Sequence, residues 1–81
     1  MSAKALLLVT INILSMGNND NVATTSTLLD DSTQCSAAMR QVVEHHGLQN
    51  NIFSQGKEYL KARKSITKGL VTLTINCKEL K

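Results

Sequence analysis

The two cysteines of this chain, Cys35 and Cys77, constrain its fold more than any other feature of the sequence. Cys35 belongs to an apolar stripe with helical spacing, and Cys77 ends an apolar alternation that is typical of a strand. If these two apolar sides share a core, the sulfurs meet although they are 42 positions apart in the sequence. The sequence therefore predicts a helix packed on a sheet, with either a disulfide or two buried thiols between them.

The main helix is predicted over residues 32–46. Its apolar stripe follows the spacing i, i+3, i+4, i+7, through Cys35, Ala38, Met39, Val42, Val43 and His46. Asp31 or Ser32 is expected to cap its first turn. Gly47 suits the left-handed residue after a helix, and Leu48 would make the hydrophobic contact that accompanies such an ending.

Three strands are predicted, over residues 5–14, 22–29 and 70–77. The first and last alternate apolar residues with a period of two, whereas 22–29 is weakly amphipathic and is expected to be a short edge strand after a turn at 17–21. Residues 48–56 are expected to be a loop. The expected fold is therefore a single small α+β domain over residues 1–81, with a mainly antiparallel three-stranded sheet in the order β-β-α-β and the main helix on one face.

Residues 57–66 are ambiguous, because most of them are helix formers although Leu60, Ala62 and Ile66 alternate. A short basic helix before the last strand is the first expectation, and a hairpin is the alternative.

The N-terminal segment permits two interpretations. The run at 5–14, with Lys4 before it and Ser15-Met16-Gly17 after it, resembles a secretory signal peptide with a small-x-small cleavage site. Its alternation through Ile13 favours an integral strand instead. A cytoplasmic protein is therefore the first expectation, and removal of residues 1–17 as a leader would imply a periplasmic or secreted one. No apolar stretch approaches the roughly 20 residues that a transmembrane helix needs.

The sequence predicts neither catalysis nor a cofactor. His45 and His46 are adjacent, so on a helix they diverge by about 100° and do not easily share one ion. No second Cys or His pair has metal-ligand spacing, and no Gly-rich phosphate loop or H-E-x-x-H motif is present. Asp30 and Asp31 are accounted for by the start of the helix. A non-enzymatic protein without metal or cofactor is expected.

The clearest charge asymmetry lies between residues 57 and 68, where Glu58 is the only acidic residue. The candidate partner-binding residues of this segment are Lys57, Tyr59, Lys61, Arg63, Lys64 and Lys68. They would suit an acidic protein surface, or nucleic acid if the tyrosine stacks on a base, or they form a solvated face without a partner. A net charge of +3 with one tyrosine favours the protein partner over nucleic acid.

The order of these elements resembles very short phage and prophage proteins of unknown function. The resemblance rests on the apolar N-terminal strand, on the helix start Asp-Asp-Ser-Thr-Gln-Cys-Ser-Ala-Ala-Met at residues 30–39, and on the cysteine in the last strand. It covers residues 5–46 and 70–78, and the basic insert at 48–69 departs from it. The family has no established activity, so the resemblance implies only the context of a mobile genetic element. The expected function is that of a non-enzymatic accessory protein that docks on, or inhibits, a host macromolecule. A nucleic-acid-binding accessory protein and a secreted, disulfide-stapled domain are the alternatives.

Overall fold

The computed structural model describes residues 3–15, 18–67 and 69–80, which form one antiparallel sheet and one α-helix. In chain order the elements are β1 (Ala5–Ser15), β2 (Asn18–Leu29), a 3-10 turn (Ser32–Gln34), α1 (Cys35–His45), β3 (Ile52–Gln55), β4 (Tyr59–Ile66) and β5 (Gly69–Glu79). The strands lie in the order β2-β1-β5-β4-β3, and every neighbouring pair is antiparallel. The predicted α+β class is confirmed.

The predicted number of strands is wrong, because the sheet has five strands and not three. Residues 52–55, expected in a loop, form the edge strand β3, and the helix expected first at 57–66 is replaced by β4. In β4, Leu60 and Ala62 point into the core opposite Ile75 and Leu73 of β5. The lysines of this segment favour a helix only slightly. The free energy gained by strand pairing and by burial of the apolar side chains outweighs that preference.

The turn expected at 17–21 is only partly as predicted. Of the turn expected at 17–21, residues 18–21 belong to β2, which is therefore longer than the short strand predicted, and Gly17 lies outside the described residues. β2 is an edge strand, as expected. The pairing of β1 with β2 shifts between Asn12 and Ile13, which marks a bulge.

The core lies between α1 and one face of the sheet, and a disulfide crosses it. The bonded cysteines are Cys35 and Cys77, whose Cα atoms are 5.9 Å apart. Of the two alternatives for the cysteines, the structure therefore has the disulfide. The buried core residues are aliphatic or sulfur-containing: Ala5, Leu7, Val9, Cys35, Met39, Val43, Leu48, Leu60, Ala62, Leu73, Ile75 and Cys77.

Local contacts flank the helix at both ends. The carboxylate of Asp31 caps the 3-10 turn that leads into α1, where it accepts hydrogen bonds from the backbone N–H and the hydroxyl of Thr33, at 2.9 and 2.8 Å. Gln34, the N-cap residue of α1 itself, makes no side-chain cap hydrogen bond. At the other end Gly47 has φ +69°, and the N–H groups of Gly47 and Leu48 donate to the carbonyls of Glu44 and Val43. This is the Schellman ending that the glycine predicts. His46 follows the last helical residue and is exposed, so its predicted place on the apolar stripe is wrong.

Candidate functional site

The two faces of the sheet differ in what covers them. α1 packs on the inner face, which carries the buried residues of β1, β4 and β5. The opposite face is called here the open face, because no helix of the described residues packs on it. Its side chains are those of the alternate strand positions, and they are half-buried or exposed.

A group of cations and aromatic rings occupies one side of the open face. Tyr59, Lys61 and Arg63 alternate along β4 with the buried Leu60 and Ala62. The guanidinium carbon of Arg63 lies 4.8 Å from the centre of the ring of Phe53, which is within the range of a cation–π contact. The ring and the guanidinium therefore form one continuous surface across β3 and β4.

The register of the sheet continues this group toward its centre. Tyr59, Lys61 and Arg63 stand opposite Asn76, Thr74 and Thr72 of β5. The alternation of β5 places Lys78 on the same face, beside Leu6 of β1. The central part of the open face is therefore polar but uncharged. The three strand cations, which are Lys61, Arg63 and Lys78, lie around this central part.

Apolar side chains complete the open face on β1 and β2. Leu6 pairs with Leu28, whose side chain is 54% exposed. A shallow cavity of about 420 Å³ lies between this apolar side and Tyr59. Its lining residues are Leu8, Glu58, Tyr59, Asn76, Cys77 and Lys78. An apolar side chain of a partner would find both a hydrophobic wall and a cation there.

Gly56 sets the position of the Tyr59 ring. The backbone N–H of Gly56 donates to the carbonyl of Tyr59 at 2.9 Å, and the ring lies directly against the glycine. A Cβ at position 56 would overlap the Cε1 atom of that ring. The absence of a side chain at Gly56 therefore determines where the ring stands at the edge of the open face.

The predicted partner-binding residues do not all lie on one surface of the structure. Tyr59, Lys61 and Arg63 share the open face, whereas Lys64 lies on the inner side of β4 opposite Val71. Lys57 is exposed in the turn between β3 and β4, and Lys68 lies outside the described residues. Sequence reasoning missed three contributors, Phe53, Lys78 and Gly56. Their positions follow from strand pairing, and only the aromatic character of Phe53 offered a signal.

The paired histidines form no metal site with their neighbours. The rings of His45 and His46 meet edge to face with their centres 5.3 Å apart. Within residues 3–15, 18–67 and 69–80, no three His, Cys, Asp or Glu side chains come together in a way that would hold a metal ion. Nor does any helix in those ranges have the length and apolar character needed to cross a membrane.

The chain was compared with protein-family models, curated proteins and solved structures, and none of these comparisons gave a match.

Proposed function

We propose that this protein is a non-enzymatic binding module whose open face docks on an acidic surface of a protein partner. The observation that carries the proposal is the composition of that face, where exposed leucines and two aromatic rings adjoin three strand cations. Aromatic residues and arginine supply much of the binding energy in protein interfaces. The face offers these groups on rigid strands, so little ordering is needed when a partner binds.

Charge complementarity identifies the kind of partner. Lys61, Arg63 and Lys78 are exposed and stand on strands. Among the described side chains that the register places on this face there is no Asp or Glu, although Glu58 lines the cavity beside Tyr59 and Lys78. Carboxylates of a partner would meet cations across the whole basic side of the face, which favours fast and selective association.

Single-stranded nucleic acid is the second candidate, and one observation favours it. The rings of Tyr59 and Phe53 stand beside Lys61 and Arg63, a combination that can stack bases while the cations neutralise phosphates. Two observations favour the protein partner over it. The net charge is only +3, and a disulfide is more often found in compartments where nucleic acid is not the usual partner.

The disulfide also bears on where the module works. Because disulfides persist in oxidising compartments, the bond between Cys35 and Cys77 favours a periplasmic or secreted protein over a cytoplasmic one. The role as a mobile-element accessory or inhibitor rests on the resemblance to phage and prophage proteins alone, and it stays a prediction.

A charge-reversal experiment tests the proposal. Immobilised wild-type protein is compared with Lys61→Glu/Arg63→Glu and with a matched control, Arg40→Glu/Lys64→Glu, whose positions lie on the helix and on the inner side of β4, away from the open face. We expect one protein from an extract of the source organism to be retained by the wild type and the control and lost by the open-face variant. Purified partner should then bind with an affinity that falls as salt increases.

Two outcomes would contradict this expectation. Equal retention of the partner by both double variants would show that the open face does not bind the partner. A gel shift of a single-stranded oligonucleotide at physiological salt, abolished only by Lys61→Glu/Arg63→Glu, would establish the nucleic-acid alternative instead.

A further inference from the structure

The inner face of the sheet extends beyond the helix that covers it. α1 has 11 residues, so it spans about 16 Å, whereas β1 and β5, which also have 11 residues each, span about 36 Å. Past the end of the helix the inner face carries four apolar side chains, called here the apolar shelf: Ile11, Ile13, Ile66 and Val71. Each is half-buried or exposed, and Ile66 is 43% exposed.

The apolar shelf forms one side of a groove of about 380 Å³. The groove is bounded by the shelf and by Leu48, Leu73, His46 and Lys64. Leu48 and Leu73 are fully buried and form its floor, while the exposed Ile66 stands at the rim. Such a volume falls at the small end of the range of ligand sites, which are usually apolar with a few placed polar groups.

Among the described residues that line the groove, Lys64 supplies the cation. Lys64 pairs with Val71, which in turn pairs with Ile13, so all three side chains rise from one row across the sheet. His46 adds an imidazole at the end of the helix, and none of the described lining residues carries a carboxylate. These residues therefore make an aliphatic surface with an ammonium group at its edge.

From this combination we propose that the groove binds a medium-chain carboxylate, with its acyl chain on the apolar shelf and its carboxylate on the ammonium of Lys64. The chain would cover apolar surface that the helix leaves exposed, and the carboxylate would form a charge-assisted hydrogen bond.

The proposal is independent of the open face. Lys61 and Lys64 lie on the same strand but on opposite faces of the sheet. A variant of one residue leaves the other site intact, so the failure of either proposal is seen separately.

Calorimetric titration with four named compounds tests it: octanoate, decanoate, decanol and decyltrimethylammonium, each below its micelle concentration. We expect decanoate to bind most tightly. Octanoate should bind more weakly, by about fourfold for each methylene that leaves the groove. Decanol should bind about tenfold or more weakly than decanoate, and the cationic compound should bind least.

Matched variants locate the site. Lys64→Gln should remove the preference for decanoate over decanol, and Lys64→Arg should restore it. Lys61→Gln should leave both affinities unchanged. Ile66→Asn, at the exposed rim, should weaken decanoate and decanol alike while circular dichroism shows an unchanged fold.

Three results would overturn the inference. The first is the absence of decanoate binding up to its micelle concentration. The second is equal binding of decanoate and decanol by the wild type. The third is a loss of decanoate binding in Lys61→Gln as large as that in Lys64→Gln.

Discussion

The disulfide acts at the point where the helix begins. Cys35 is the first residue of α1, and Cys77 lies in the inner strand β5, so the bond fixes one end of the helix to the middle of the sheet. The loop that it closes contains the rest of the helix, β3 and β4. A chain of 81 residues has a small core, so we expect such a cross-link to contribute a large part of the free energy of unfolding.

Removal of the bond in a Cys35→Ala/Cys77→Ala variant should lower the free energy of unfolding by about 3–4 kcal/mol, since a loop of this length then becomes unrestricted in the unfolded chain. Urea titration of the variant and of the oxidised wild type measures the difference. The reduced wild type is the control and should behave like the variant. An unchanged midpoint in both would mean that the cross-link contributes nothing to folding.

Alanine substitutions at two glycines distinguish the effect of backbone strain from the effect of side-chain crowding. Gly47→Ala should destabilise the protein by about 1–2 kcal/mol, because alanine is unfavourable at φ +69°. Gly56→Ala should cost little stability, because the Tyr59 ring that its Cβ would meet can turn away. It should nevertheless weaken partner binding at the open face. Thermal melts and binding assays on both variants check this, and equal loss of stability would contradict it.

At the scale of elements, the packed side of α1 is defined by Val43. Val43 is fully buried, whereas Val42 is half-buried and Arg40 is exposed. Val43→Asp should therefore unfold the protein, because an unpaired buried carboxylate costs several kcal/mol. Val42→Asp should be less harmful and Arg40→Ala nearly neutral. Circular dichroism melts give the ranking, and a Val42→Asp variant less stable than Val43→Asp would show that the helix is rotated.

The elements that could be predicted are those with a one-sided apolar pattern. β1, α1 and β5 each bury a regular stripe, so period alone located them and brought Cys35 to Cys77. β4 was ambiguous because its exposed positions are helix-forming lysines and arginine, and its strand conformation depends on the pairing of Leu60 and Ala62 with β5. The positions of Lys61 and Lys64 depend on the same strand conformation, because residues three apart in a strand point to opposite faces of the sheet.

At the scale of the whole molecule, β1 holds the sheet together. It pairs along its length with β2 on one side and with β5 on the other. Deletion of residues 1–17 should therefore abolish folding, because β2 would lose the strand with which it pairs and β5 would lose one of the two strands beside it. Nuclear magnetic resonance and thermal melts of the truncated chain measure this. A truncated protein with the original melting behaviour would instead identify residues 1–17 as a dispensable leader.

The pairing of β1 with β5 also brings the two ends of the described chain side by side. The N–H of Leu80 donates to the carbonyl of Lys4 at 2.7 Å, and Ala5 pairs with Glu79. A short linker between these ends would therefore turn β5 and β1 into a hairpin. The chain could then be opened between the exposed Gln49 and Asn50. Such a circular permutant would begin with β3 and end with α1, and it would keep every strand neighbour while making the β1–β5 contact local in sequence.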